Sequence, residues 1–178
     1  MMRSRLLLVV LAALAWGGCD TSDLSDAEQI VGTWEPVSLN AVIGGALPVP
    51  IATLNQGQSA GTLVIESSGF IDLDITLGGK VVIPNTDVTV NLPADLDLSG
   101  TYTLDDAANT LTVRRGTRTT TLRYDLTPFL GTVESLQFVA ESPDELVGLL
   151  GVSQEDAEAF FAVASGASIR FQRSVRTS

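Results

Sequence analysis

From residue 30 onward the chain alternates. Thr, Val, Ile and Leu recur at every second position, and Gly, Asn, Asp and Pro interrupt them at short intervals. A period of two sends successive side chains to opposite faces of an extended backbone, so the pattern predicts strands buried on one side. Strands are expected over 32–39, 61–67, 69–77, 80–84, 87–92, 99–105, 110–115, 117–126, 133–140 and 167–175. Ser67-Ser68-Gly69, residues 105–109 and Arg115-Gly116-Thr117 are tight reversals. Strands so closely spaced run antiparallel, because a parallel pair needs a long crossover. The result is an all-β barrel or sandwich.

One stretch departs from the alternation. Ser142-Pro143-Asp144-Glu145 combines an N-cap residue, a proline at the first helical position and an acid in the first turn. Ser153-Gln154-Glu155-Asp156 repeats the signal after Gly151. These predict a short helix and then a longer one between the last two strands. Phe160 and Phe161 are expected to pack the second helix on the outside of the sheet.

The chain has 178 residues, 45% of them apolar, which suits one domain with a real core. It contains no His and one Cys. Catalysis by Ser-His-Asp or Cys-His systems is thereby excluded, as are His-containing zinc sites. No enzyme activity and no cofactor are expected. Acids outnumber bases by 21 to 10, so the net charge is −11 and nucleic acid is an unsuitable partner.

Residues 1–18 read as a leader: Arg3 and Arg5 precede an apolar run from Leu6 to Ala15, followed by Gly17 and Gly18. The run is too short for a comfortable membrane span. The segment ending in Cys19 resembles a bacterial lipobox, with Trp16 where the motif prefers Leu. The resemblance implies acylation of Cys19, attachment to the membrane through its acyl chains, and location in the bacterial cell envelope, facing periplasm or cell surface. Cleavage after Ala15 is the alternative. Losing Arg3 and Arg5 makes the exported chain two charges more negative, so its surface would repel anionic lipid. Residues 19–29 read as an acidic, solvated tether, and 30–178 as the folded domain.

Gly32-Thr33-Trp34 opens the first strand, Gly100-Thr101-Tyr102-Thr103-Leu104 has the look of a mid-barrel strand, and the chain closes on Ser168-Ile169-Arg170-Phe171-Gln172-Arg173. In this the domain resembles bacterial lipocalin-like domains. The resemblance implies an up-and-down antiparallel β-barrel, with the late helical segment before its last strand. It implies that Trp34 sits at the closed end and that a basic residue of the last strand packs across its indole. Arg173 is the first choice for that residue and Arg170 the second. Gly32, Trp34 and Arg173 would then join the two ends of the sheet. The family's Thr-Asp-Tyr-like triplet has only a permuted echo here, Arg123-Tyr124-Asp125.

Residues 41–60 form a long apolar connection, with Val42, Ile43, Leu47, Val49 and Ile51. Such a loop needs a dry resting place. It could close as a lid over a cavity holding a small apolar ligand, or simply plug the barrel mouth. A protein partner in the envelope is the other reading of the domain.

Two further groups carry potential chemistry. Asp95, Asp97, Ser99 and Asp106 have the spacing of a calcium loop. Against it, residues 101–104 alternate as a strand, and no metal is expected. Arg114, Arg115, Arg118 and Arg123 form a basic cluster across a predicted hairpin. They suit either an anionic head group or salt pairing with neighbouring acids.

Overall fold

The computed structural model describes residues 25–44, 48–53, 61–77, 79–129 and 132–174. In chain order the elements are α1 (Asp26–Ile30), β1 (Gly32–Ile43), β2 (Val49–Thr53), β3 (Gly61–Ile65), β4 (Phe70–Thr76), β5 (Lys80–Val82), β6 (Thr89–Asn91), β7 (Asp95–Asp105), β8 (Thr110–Arg115), β9 (Arg118–Phe129), β10 (Thr132–Ala140), α2 (Pro143–Leu150), α3 (Gln154–Phe161) and β11 (Ala164–Arg173). Among the described residues no helix is long and apolar enough to cross a membrane.

The order β1-β3-β4-β7-β8-β9-β10-β11 is antiparallel throughout, and β11 pairs back onto β1. The sheet therefore closes as an up-and-down barrel of eight strands. Closure pairs the two ends of this eight-strand run and leaves β2 as the edge of the sheet. β2 runs beside the second half of β1, where Ala41 faces Val49 and Asn40 faces Pro50. β5 and β6 form a separate hairpin.

The register explains the alternation. Leu63 lies opposite Leu73, Leu73 opposite Leu98, and Leu111 opposite Leu122. Partners share a face, so these chains line the interior together. Asp72 and Asp74 stand on the outer face between Ile71, Leu73 and Ile75, which are fully buried. Phe138 and Phe171 meet edge to face at 5.6 Å in the core. An eight-stranded barrel is just wide enough for side chains to fill. Here they do: Trp34, Leu39, Leu63, Ile71, Leu111, Leu136, Phe138 and Phe171 belong to one continuous buried cluster.

Five expectations are corrected. β7 begins at Asp95 rather than 99, because outward-facing Asp95 and Asp97 are compatible with a strand whose Leu96 and Leu98 turn inward. Residues 41–60 are not one long loop: Val42 and Ile43 finish β1, and Val49 and Ile51 lie in β2, paired back onto it. α1 begins at Asp26, inside the stretch expected to be a solvated tether up to residue 29, and Asp26 accepts from Tyr124 of the barrel. The two late helices are equal in length, at eight residues each. α3 rests against β6 and β11 at the barrel end rather than on the sheet's outer face.

Candidate functional site

The strand directions sort the connections to two ends. α1, the β3–β4 turn, the β7–β8 turn and the close of β11 share one end. The other end holds the β5–β6 hairpin, the β8–β9 turn and the α2–α3 segment.

The first end is built around the seam. Trp34 and Arg173 are register partners across β1 and β11. The guanidinium carbon of Arg173 lies 4.4 Å from the centre of the Trp34 ring, a cation–π contact. Arg173 donates through Nη2 to the Gln29 carbonyl (2.5 Å), through Nη1 to that of Val31 (3.1 Å) and through Nε to that of Val133 (3.0 Å). Trp34 Nε1 donates to the Ile30 carbonyl at 2.9 Å. The carbonyls that a helix C-terminus leaves unpaired are thus taken by a cation and an indole. Burial lowers the Arg173 pKa from the ordinary arginine value. Gly32 has φ of +149°, and a Cβ there would stand 2.7 Å from Arg173 Nη1. Glycine is required by both backbone and neighbour. Arg170 points elsewhere, donating to Ser135 Oγ at 3.2 Å.

α1 is held at its other end too. Ser25 and Glu28 form a capping box. Tyr124 donates its hydroxyl to Asp26 at 3.0 Å, with Asp106 at 3.5 Å. Burial, the bond to Asp26 and the two negative charges push the Tyr124 pKa well above the ordinary phenol value. The capping-box spacing Ser25-x-x-Glu28 was the sequence signal for α1. Nothing in the sequence linked Tyr124 to Asp26.

The mouth end is covered by both insertions. Leu77, Val81, Ile83, Val90 and Leu92 from the β5–β6 region join the core, as do Leu146, Leu149, Leu150 and Phe160 from the helices. Asp156 of α3 accepts from Asn91 of β6 at 3.1 Å and ties the two covers together.

A cleft of about 350 Å³ remains between α2 and the rim of β7, β8 and β9. Leu96, Leu98, Val113 and Val147 supply apolar lining, Gly148 and Thr120 meet there, and Asp97, Arg115 and Arg118 stand at the edge. A broader groove of about 630 Å³ lies outside the closed end, beside Val31, Tyr102 and Leu104. Two of its polar groups are engaged: Tyr102 donates to the Glu66 carbonyl, and Glu28 caps Ser25. The smaller cleft is the one that brings guanidinium groups, a carboxylate and apolar side chains together.

The other expected site residues are dispersed. Asp95 accepts from Thr76 Oγ1, Asp97 pairs with Arg115, and Ser99 faces Asp72 across β4 and β7. Asp106 lies in the turn beyond the far end of this eleven-residue strand, beside Tyr124. An extended strand cannot wrap an ion, and no group of three or more metal-ligating side chains converges among the described residues. Val42 and Ile43 end β1 and pair with Gly166 and Ala164 of β11, while Val49 and Ile51 lie in β2. Leu47 and Cys19 lie outside the described residues.

No protein-family model matches the chain, and a search of curated proteins returns no match.

Proposed function

We propose that this chain is an exported, acyl-anchored protein of the bacterial cell envelope, built on a lipocalin-like barrel, that holds a small amphipathic molecule without covalent chemistry. The carrying observation is the cleft of about 350 Å³ left at the mouth of a barrel that is otherwise packed solid. Small-molecule sites are concave, largely apolar and furnished with a few convergent polar groups. This cleft is concave and sets Asp97, Arg115, Arg118, Thr119 and Thr120 beside the apolar Leu96, Leu98, Val113 and Val147. The closing arrangement of Gly32, Trp34 and Arg173 supports the lipocalin-like reading. The leader ending at Cys19 supports export and acylation.

Native mass spectrometry of protein purified from its source membrane tests the binding. A co-purifying small molecule, lost when Leu98→Trp fills the cleft, is expected. A bare polypeptide mass under conditions that preserve weak complexes would overturn it. The anchor is tested separately: Cys19→Ser should shift the protein from the membrane to the soluble fraction.

A second reading is an interaction module. The packed interior favours it, as does the exposure of Val82 and Val49, at 61% and 37%, on neighbouring β5 and β2. Crosslinking in intact envelope through a photoreactive residue at Val82 separates the readings: a defined protein adduct supports this one.

A further inference from the structure

We infer that the mouth cleft selects an anionic amphiphile, with its carboxylate or phosphate head on Arg118 and Arg115 and its apolar chain against Leu96, Leu98, Val113 and Val147. This rests on the reading of the cleft as the binding site and adds the charge class of its ligand.

The argument begins with the hairpin. Arg115 and Arg118 face each other directly across β8 and β9. Only Gly116 and Thr117 separate them, and Gly116 takes φ of +59° to make the turn. Like charges directly opposite on a ladder destabilise it. In a chain with 21 acids and 10 bases, local neutralisation would be easy to supply. It reaches one member only: Arg115 meets Asp97 at 3.3 Å, as Arg123 farther along pairs with Glu141. The Arg118 side chain has no hydrogen bond or ion pair among the described residues. It is also the arginine that lines the cleft without a carboxylate partner.

The two strand positions share one face with the cleft wall. Arg118 follows the inward series Thr120, Leu122 and Tyr124 of β9, and Arg115 the series Leu111 and Val113 of β8. Arg118 therefore rises from the wall that carries the apolar lining, whereas the Arg115 head reaches round to Asp97, the ladder partner of Asp74 on the outer face. Arg114, one position away, belongs to that outer face and does not line the cleft. Asp97 lies at the same rim and holds Arg115, so an incoming anion meets one unpaired guanidinium first and competes with a carboxylate for the second. Guanidinium presents a planar fork of donors that matches carboxylate and phosphate oxygens. The cleft volume is at the small end of ligand sites, about 300–1,000 Å³, which suits a medium chain.

Calorimetry on the exported chain carrying Cys19→Ser, so that no acyl chain competes, decides the matter. The probes are decanoate, decanol and inorganic phosphate. Decanoate should bind more tightly than decanol, and phosphate alone weakly. Arg118→Gln should weaken decanoate about ten-fold, the lower end for a charge-assisted hydrogen bond at a half-open site, and leave decanol unchanged. Arg118→Lys should recover part of the loss. Higher ionic strength should weaken decanoate selectively. If decanol binds as well as decanoate, or Arg118→Gln changes neither, the anion inference falls and the binding reading survives. If phosphate binds as tightly as decanoate, the site serves a free anion and the amphiphile inference falls. If neither decanoate nor decanol binds to a chain with an unchanged melting curve, the cleft reading falls and takes the inference with it.

Discussion

Replacing Arg173 by Met keeps a long apolar stem across β11 and removes the guanidinium. Three carbonyls then lose their donor: Gln29, Val31 and Val133. The site is half-buried, so water recovers part of each bond, and about 1 kcal/mol per carbonyl is a fair figure. The lost contact with the Trp34 face, 4.4 Å away, adds about 1 kcal/mol. The thioether regains about 1 kcal/mol of burial. The net is about 3 kcal/mol. For a domain of this size each kcal/mol shifts the melting temperature by about 2–4 °C, so a fall of about 6–12 °C is expected. Differential scanning calorimetry measures it. In a chain that begins at residue 19, without Trp16, Trp34 is the single tryptophan, so its fluorescence reports the same end of the barrel independently. In a double-mutant cycle with Trp34→Leu, a coupling of about 1 kcal/mol should appear. A melting temperature within about 1 °C of wild type, with additive single variants, would refute the claim that this pair joins the sheet.

Gly32→Ala should destabilise by about 1–3 kcal/mol through backbone strain and the 2.7 Å approach of Arg173, and less than that in the Arg173→Met background, as chemical denaturation will measure. Tyr124 keeps its proton in the fold beyond the ordinary phenol range, while the unfolded chain loses it near pH ~10, so stability should fall as pH rises past about 10. Melting curves at about pH 9 and about pH 11 should show that fall, much reduced in Tyr124→Phe, with a smaller remainder from Tyr102, whose pKa burial also raises. Ser142→Ala and Ser153→Ala each remove an N-cap acceptor, for Glu145 N at 3.3 Å and Asp156 N at 3.0 Å, and should cost about 1 kcal/mol apiece in urea titrations. Millimolar calcium should leave the melting temperature unchanged; a rise would mean that Asp95, Asp97, Ser99 and Asp106 meet in some state other than this strand.

What the sequence made legible was governed by local periodicity. Ile71, Leu73 and Ile75 alternate with Asp72 and Asp74, and one strand with one wet face accounts for all of them. The same logic was available at Asp95-Leu96-Asp97-Leu98, but the calcium spacing competed with it there. β2 was obscured by Pro48 and Pro50, which disfavour interior strands yet are tolerated at an edge. α1 was obscured by its acids, which suggest solvation until the capping box is noticed. The mouth cleft had no signature. Its walls come from β7, β8, β9 and α2, which only the closed topology brings together. Gly32, Trp34 and Arg173 were legible only by resemblance, because the pairing of residues so far apart in the chain leaves no local trace.

The position of the cleft follows from the lengths of the connections. At the mouth end, β4 reaches β7 through 77–94 and β10 reaches β11 through 141–163. Both excursions carry apolar residues that cannot remain in water, and both fold inward until Leu77, Ile83, Leu149 and Phe160 fill the opening. β8 reaches β9 through Gly116 and Thr117 alone. Two residues can turn the chain but cannot lay a side chain across the rim. The wall is therefore low at that point, and the space beneath it is bounded on its far side by α2, whose Gly148 offers no side chain to fill it. A glycine at 148 lets the helix approach Thr120, since a Cβ there would stand 3.2 Å from its methyl group. The same tight turn that leaves the gap places Arg115 and Arg118 side by side at its edge. Absence of filling and concentration of positive charge thus have one structural cause, the brevity of a single hairpin.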